Sequence, residues 1–213
     1  MTLKRCIDVA LSIAILLIAG PICIAAAISV WVESGGPILF RQQRVGKDFV
    51  CFEILKFRTM RAGSVGPSVT VRGDTRTTAV GRFLRASKID ELPQFWNVLR
   101  GDMSIVGPRP EVPEYVEMFK ARYRRILVIR TGVTDLASIC FRSEETVLAL
   151  SPDPLETYRS RILPAKLDLA DRYLRERSAL RDLGIILQTA LAMLWRPRPP
   201  GPNNFQRKTG TAR

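Results

Sequence analysis

The sequence predicts a mixed α/β fold that is mainly helical and that attaches to a membrane from one side, as a monotopic protein. Three observations predict it. They are an uncharged apolar run near the N terminus, one segment with the composition of a small β-hairpin, and helical periodicity in the C-terminal third, as expected of packed amphipathic helices. We therefore expect a re-entrant membrane helix over residues 1–35, a folded domain over 36–195 and a disordered basic tail over 196–213.

The apolar run covers residues 9–32, and these 24 residues carry no charge. A helix needs ~20 such residues to cross a bilayer. Pro21, in the middle of the run, lacks an amide donor and clashes with the carbonyl one turn earlier, so we expect a break there. Basic residues lie close to both ends, which favours both ends on the cytoplasmic side. The pattern predicts a re-entrant helix–break–helix; a spanning helix and a cleaved signal peptide are the alternatives.

The composition limits the chemistry. A net charge of +13 indicates an anionic partner: nucleic acid, anionic lipid or a phosphorylated small molecule. The absence of histidine excludes Ser-His-Asp and Cys-His triads and histidine metal sites. The four cysteines show no CxxC spacing, so we expect small buried side chains in a reducing compartment, without disulfides or a zinc site.

Residues 37–60 are rich in β-branched and aromatic side chains and are interrupted at Gly46-Lys47-Asp48, which predicts a hairpin. A strand over 50–58 would place Lys56 and Arg58 on the same face, because side chains alternate along a strand.

A long loop over 61–78 and a short helix over 79–87 should follow the hairpin. The next helix is predicted to begin at Asp90, with its side chain as the N-cap and Glu91 in the first turn. The helix dipole and the nearby arginines would then favour the ionised form of both carboxylates.

The stretch "IDELPQ" at 89–94 places two adjacent carboxylates after five basic residues within 72–88. Either the acids are counterions of their neighbours or they are the working groups of a site. Arg109 lies between Pro108 and Pro110, and it too could be a solvated residue of a rigid loop. Together, the carboxylate pair, the braced arginine and the basic strand and loop indicate a site that handles phosphate.

In the C-terminal third, residues 155–178 have helical periodicity and heavy charge, which is typical of a solvated helix surface or of one that contacts anionic headgroups. The apolar run over 183–195 is too short to span a membrane and predicts a core or interfacial helix.

The sequence resembles the bacterial sugar transferases, the monotopic polyprenyl-phosphate sugar-1-phosphate (phosphoglycosyl) transferases. The resemblance covers nearly the whole chain to about residue 195 and, without a large N-terminal extension, implies the minimal catalytic form. The stretches that carry it are "KRCID" at 4–8, "GPILFRQQRVG" at 36–46, "KFRTM" at 56–60, "VGRFLRASKIDELPQFWNVLRGDMSIVGPRPE" at 80–111 and, more weakly, "GVTDLAS" at 132–138 and "RDLGIILQT" at 181–189.

The resemblance implies transfer of a sugar-1-phosphate from a UDP-sugar to undecaprenyl phosphate, with release of UMP, as the first step in assembling an exopolysaccharide, O-antigen, capsule or related glycan. It implies that Asp90 is a nucleophile that forms a covalent phosphosugar intermediate and that Glu91 helps to hold Mg²⁺. Pro21 would break the re-entrant helix. It implies that Arg109, between Pro108 and Pro110, contacts the nucleotide phosphate. Attack on an anionic diphosphate also needs cations to neutralise its charge, which Lys56 and Arg58 can supply. The predicted substrate-binding residues are therefore Lys56, Arg58, Arg76, Pro108, Arg109 and Pro110.

The protein is expected at the cytoplasmic face of the bacterial inner membrane, among its lipids; a homo-oligomer stays open. No nucleic acid is expected as a partner, because the sequence shows no nucleic-acid fold signature and its aromatic residues cluster with apolar neighbours. An aspartate is already ionised at neutral pH, so the missing histidine is no obstacle to this chemistry. A frequent family aspartate falls at Ala170, and whether the adjacent Asp171 replaces it is open. The alternative function is a non-catalytic, membrane-tethered basic module that binds anionic lipid or nucleic acid.

Overall fold

The computed structural model describes residues 3–64, 66 and 69–194. It is mainly helical with two small sheets, which confirms the predicted fold class in its secondary structure. The predicted tail over 196–213 lies outside the described residues. The elements are α1 (Leu3–Ser34), β1 (Leu39–Val45), β2 (Cys51–Phe57), α2 (Ala79–Ser87), α3 (Gln94–Arg100), β3 (Ser104–Val106), α4 (Pro113–Met118), α5 (Lys120–Ile126), β4 (Gly132–Thr134), α6 (Leu136–Cys140), α7 (Glu144–Ala149), α8 (Pro154–Thr157), α9 (Leu163–Glu176) and α10 (Ala179–Leu194).

The helix α1 is continuous through Pro21, so the predicted interruption of helical structure there is wrong. Proline removes one hydrogen bond but fixes φ near the helical value, and the turns on either side keep their own bonds. The helix is long and apolar enough to cross a membrane, by length and composition. Midway along it, Leu17 and Ile18 are 74% and 81% exposed.

Both ends of α1 are fastened to the folded domain. Near the N terminus, the buried carboxylate of Asp8 accepts hydrogen bonds from the Ser104 hydroxyl (2.7 Å) and the Ile105 amide (3.2 Å). Near the C terminus, Ala26 and Val30 are buried in a cluster with side chains of β2 and α2. Between Ser12 and Ala26, no residue of α1 is buried.

The predicted hairpin is confirmed. Strands β1 and β2 pair antiparallel, with Leu39 opposite Phe57 and Val45 opposite Cys51, and a short 3₁₀ turn joins them. The strand β2 ends at Phe57, so Arg58 follows it directly.

The second sheet joins β3 and β4 in parallel and brings two loops together. The backbones cross so closely that a Cβ on Gly132 would lie 2.2 Å from the Gly107 nitrogen. Only glycine permits this approach. The contact places the Pro108–Pro110 loop beside residues 133–135.

The predicted helix over 155–178 is observed as α8 and α9, joined by a π turn over Tyr158–Ile162. The helix α10 buries Ile185 and exposes Leu183, Leu187 and Leu191, so it serves partly as core and leaves an apolar stripe uncovered. The cysteines form no disulfide, as predicted, but their predicted burial is wrong: three are exposed and Cys23 is partly exposed. Cys51 begins β2, Cys140 ends α6 and Cys6 lies near the start of α1, whereas Cys23 packs against the cluster of Ala26, Val30, Phe57 and Leu84.

Candidate active site

Asp90 and Glu91 lie in a 3₁₀ turn, Ile89–Glu91, between α2 and α3. The turn begins after Lys88, whose φ of 60° lies in the left-handed region and turns the chain at the end of α2. The prediction that Asp90 caps the next helix is wrong, because α3 begins at Gln94, after Pro93. The amides of Glu91 and Leu92 bond three residues back instead, which leaves the carboxylate of Asp90 outside any cap.

Asp90 is only 6% exposed, and its Oδ1 has no hydrogen-bond partner among the residues that the structure describes. Buried polar oxygens usually have such a partner, and each exception needs an explanation. Asp90 also lines a cleft of about 1370 Å³. Oδ1 is itself buried, so the structure shows a carboxylate beside the cleft that no hydrogen bond to Oδ1 holds in place.

Glu91, in contrast, is fully engaged. Its Oε1 accepts a hydrogen bond from Arg109 Nη2 at 2.7 Å, and its Oε2 accepts one from Arg109 Nη1 at 3.1 Å. The ammonium groups of Lys56 and Lys88 lie 3.7 Å and 3.8 Å from Oε1. One carboxylate thus gathers three cations at the floor of the cleft.

The pKa values of the two neighbouring carboxyl groups are shifted in opposite directions. Burial, and next the charge of Glu91, raise the pKa of Asp90 to about 6 against the pull of Lys56 and Lys88. Burial alone would also raise the pKa of Glu91, but Arg109, Lys56 and Lys88 outweigh it and hold that pKa well below its usual range. The prediction that nearby cations favour ionisation is therefore right for Glu91 and wrong for Asp90, where desolvation is larger.

Lys56 is driven toward its neutral form. Burial lowers the pKa of its ammonium group to about 8, although Glu91 acts in the opposite direction. Its charge is therefore sensitive to pH close to neutrality.

The cleft collects most of the predicted site residues. Lys56, Arg58, Arg76, Pro108 and Arg109 line it together with the two carboxylates. Pro110 is not one of the residues that line the cleft. Its carbonyl accepts a hydrogen bond from Arg44 (3.3 Å).

Two of these arginines already have protein partners. Arg58 Nη2 donates to the carbonyls of Ser34 (2.8 Å) and Gly35 (2.6 Å), so it fastens the end of α1 to the hairpin. Arg76 is paired with Asp74, with Nη2 and Oδ2 2.6 Å apart. Both residues help to build the cleft wall.

The model of the family described as bacterial sugar transferase matches residues 1–196. The chain belongs to the bacterial sugar transferase family. Membership makes it a transferase.

Curated relatives of this bacterial sugar transferase include UDP-glucose:undecaprenyl-phosphate glucose-1-phosphate transferases. The protein from Caulobacter vibrioides is 41% identical over 196 residues, which are 90% of this chain and 69% of the relative. The one from Escherichia coli is 38% identical over 88% of this chain and 39% of its own length. A UDP-N-acetylgalactosamine-undecaprenyl-phosphate N-acetylgalactosaminephosphotransferase from Aeromonas hydrophila is 40% identical over 64% of this chain and 34% of its own.

Sequence reasoning missed one buried residue that supports the transferase site, Asn97. Its Oδ1 accepts a hydrogen bond from the Leu55 amide (3.0 Å), and its Nδ2 donates to the carbonyl of Glu53 (2.7 Å) and to Asp102 (3.1 Å). These bonds fix α3 to the edge of β2 next to Lys56. The signal was a lone amide within the apolar run "FWNVL".

Asp135 is a second residue that the sequence did not single out for this role. Its Oδ2 accepts a hydrogen bond from the Arg109 amide (3.2 Å), and its Oδ1 accepts one from the Ser138 amide (2.6 Å) as the N-cap of α6. The carboxylate therefore sets the position of Arg109 from the far side of the glycine crossing.

The structure also places Ala170, where a frequent family aspartate falls, and its neighbour Asp171. Ala170 lines the cleft, whereas the carboxylate of Asp171 accepts a hydrogen bond from Arg122 Nη2 at 2.6 Å. Arg125 lies 3.9 Å from the same carboxylate. Asp171 is thus committed to α5 and does not take the place of a carboxylate at position 170.

Within residues 3–64, 66 and 69–194, no group of three or more acidic or cysteine side chains is arranged to hold a metal ion. Mg²⁺ is commonly bound by only one or two carboxylates, with substrate phosphates and water completing its shell. The oxygens of Asp90 and Glu91 are ligands of that kind. The donor set therefore fits Mg²⁺ that arrives with a phosphorylated substrate.

Proposed function

We propose that the chain transfers a sugar-1-phosphate from a UDP-sugar to a polyprenyl phosphate, with Asp90 as the nucleophile. In the first step, a carboxylate oxygen of Asp90 attacks the sugar-bearing phosphorus, the bond to the bridging oxygen breaks, and UMP leaves. In the second step, a phosphate oxygen of the polyprenyl phosphate attacks the same phosphorus. The products are a polyprenyl diphosphate sugar and the regenerated carboxylate.

The observation that carries this proposal is the unsatisfied oxygen of Asp90. A buried carboxylate that accepts hydrogen bonds is a poor nucleophile, because attack would cost those bonds. Asp90 Oδ1 has no such bond to lose within the described part of the chain, and the residue lines the cleft. With a pKa of about 6, raised by burial, most of this carboxyl is ionised at neutral pH.

The cations of the cleft support attack on an anionic diphosphate. Phosphoryl transfer depends chiefly on positioning and on neutralising charge at the transferred group. The planar fork of Arg109 presently holds the two oxygens of Glu91, and a phosphate presents oxygens to such a fork in the same way. We propose that donor binding replaces Glu91 with a nucleotide phosphate at Arg109 and so releases the carboxylate.

Glu91, once released, would hold Mg²⁺ together with Asp90 and the substrate. Bound there, the ion would neutralise phosphate charge as the diphosphate bond breaks. The chain's own contribution is to fix both carboxylates in one turn and to keep Lys56 and Lys88 within 4 Å of Glu91.

The attachment of α1 supports a monotopic arrangement at the cytoplasmic face of the inner membrane. Arg5 donates to the carbonyls of Val98 (2.6 Å) and Leu99 (3.0 Å), and Glu33 accepts from the Ala79 amide (2.7 Å). Both ends of α1 thus meet the same folded domain. Because that domain is strongly basic, we infer that both ends lie inside, with the exposed middle of α1 in lipid.

The donor is inferred to be a UDP-hexose, because the relatives are named for UDP-glucose and UDP-N-acetylgalactosamine. The test is UMP release by the detergent-solubilised protein from a panel of UDP-sugars, with polyprenyl phosphate present. We expect release with at least one donor, its loss in EDTA, and its recovery when Mg²⁺ is added. Full activity of Asp90→Asn would refute the nucleophile, and full activity in EDTA would refute the metal.

A further inference from the structure

A second, apolar cavity lies on the other side of the turn that carries Asp90. It is a groove of about 410 Å³ between the C-terminal half of α1 and the helix α2. Its lining includes Ile22, Ala25 and Ser29 from α1, Val80 and Phe83 from α2, and Ile89. The one hydroxyl in the groove, that of Ser29, donates to the Ala25 carbonyl at 2.8 Å, so it is already satisfied. The groove offers contact to a hydrocarbon rather than to a polar ligand.

The position of Ile89 joins the groove to the polar cleft. Ile89 lines the groove, whereas its two neighbours, Lys88 and Asp90, line the cleft. The 3₁₀ turn is therefore a thin wall with an apolar side chain on one face and a cation and a carboxylate on the other. A molecule with a hydrocarbon chain and a phosphate at its end matches both faces.

We propose that the groove between α1 and α2 binds the isoprenoid units nearest the phosphate of the polyprenyl acceptor, with that phosphate directed past Ile89 toward Lys88 and Asp90. This inference rests on the proposed function. One wall of the groove belongs to α1, the only described helix that is long and apolar enough to cross a membrane, so a lipid chain reaches the groove without leaving an apolar environment. The other wall includes Phe83, which is 65% exposed although it is aromatic.

The proposal separates the acceptor from the donor in space. The donor occupies the cleft and needs no access to the groove, so formation of the labelled enzyme from a radiolabelled UDP-sugar should not depend on the groove. Transfer of the label to undecaprenyl phosphate should depend on it. This division provides a test in which failure of the groove and failure of the proposed function give different results.

The test fills the groove. Ala25→Phe places a ring in it, and Ala14→Phe places the same ring on an exposed part of α1 outside the groove. We expect Ala25→Phe to raise the KM for undecaprenyl phosphate at least tenfold and to leave labelling of the enzyme unchanged, while Ala14→Phe changes neither. Unchanged transfer in Ala25→Phe, or an equal loss in both variants, would overturn the proposal.

A second variant covers the case in which Ala25→Phe fails to fold and loses labelling as well. Phe83→Ala removes exposed aromatic surface from the groove, so we expect intact labelling and a threefold or greater rise in the acceptor KM; Phe49→Ala, in the hairpin turn, is its control. Normal acceptor KM in Phe83→Ala would contradict the proposal. The acceptor KM is measured both in phospholipid and in detergent. A rise in KM that occurs in phospholipid but not in detergent would assign the groove to a bulk-lipid chain and would also overturn the proposal. Absence of labelling in the unsubstituted protein would instead refute the proposed function.

Discussion

Arg109 donates two hydrogen bonds to the carboxylate of Glu91, from Nη2 to Oε1 at 2.7 Å and from Nη1 to Oε2 at 3.1 Å. The backbone amide of the same arginine donates to Asp135, so the side chain is aimed from a fixed base. This pairing leaves Asp90, one residue earlier, as the carboxylate with an unsatisfied oxygen. The division of roles between the two acids follows from which of them the arginine holds.

Removal of Arg109 should destabilise the protein as well as inactivate it. Arg109→Ala leaves Glu91 buried with only two more distant cations, which should cost about 3 kcal/mol of unfolding free energy. Arg41→Ala, which breaks an exposed pair with Glu53 at 3.6 Å, should cost less than about 0.5 kcal/mol. Denaturant unfolding of the solubilised variants measures both values. Equal effects would contradict the buried pairing.

Arg109→Lys should retain the charge but lose the fork. We expect UMP release to fall about a hundredfold, because one ammonium group cannot match two phosphate oxygens at once. The measurement is kcat/KM for the UDP-sugar. Near-normal kcat/KM would show that charge alone suffices at this position.

Asp90→Asn and Glu91→Gln should change stability in opposite directions. Burial raises the pKa of Asp90 from 3.8 to about 6, so ionisation of Asp90 opposes folding, fully above pH 6 and less as the pH falls toward 4. Asn removes that cost and should stabilise by about 1–3 kcal/mol at pH 8, and by less at pH 5. Glu91 has a lowered pKa, so its ionised form contributes stability above pH 4.5, and Gln should destabilise at pH 8. Unfolding at both pH values measures these effects; the same sign for both variants would contradict the assignment.

Activity should follow a bell-shaped dependence on pH. Below about pH 6 the carboxylate of Asp90 is protonated and cannot attack, and above about pH 8 Lys56 loses its charge, so UMP release should fall at both ends. In Lys56→Arg the fall at high pH should move upward, because arginine stays charged. Lys120→Arg, at an exposed pair with Glu117, is the control. A high-pH limb that is the same in Lys56→Arg would exclude Lys56 as its source.

Gly132 should not tolerate a side chain. A Cβ there would lie 2.2 Å from the Gly107 nitrogen, so Gly132→Ala must push β3 and β4 apart and displace the loop that carries Arg109. We expect a loss of at least about 2 kcal/mol of stability and of most UMP release. Gly184→Ala meets nothing within 4 Å inside α10 and should stabilise by about 0.5 kcal/mol. Normal activity of Gly132→Ala would show that the crossing does not position Arg109.

The sequence was sufficient for features that depend on local patterns. The hairpin followed from β-branched and aromatic residues interrupted at Gly46-Lys47-Asp48, and the short helix predicted over 79–87 is observed as α2. The grouping of Asp90, Glu91 and Arg109 into one site also came from the sequence, through adjacent charges and a proline-braced arginine. The structure brings these three residues together, although their catalytic roles remain predictions.

Features that depend on the environment of a side chain were not predictable. The pKa of Asp90 is set by the desolvation that distant elements impose, and no charge count along the chain contains that quantity. Asn97 acts through bonds to a strand more than forty residues away in sequence. The break predicted at Pro21 is absent, because a single missing hydrogen bond does not end a helix whose other turns are intact.

The most direct test of the central claim is to incubate the protein with a UDP-sugar labelled in the sugar, without any lipid acceptor, and to locate the label by mass spectrometry of its peptides. We expect one sugar phosphate attached to Asp90, release of an equal amount of UMP, and loss of the adduct in Asp90→Asn. UMP release with no label on the chain, or a label on another residue that persists in Asp90→Asn, would contradict it.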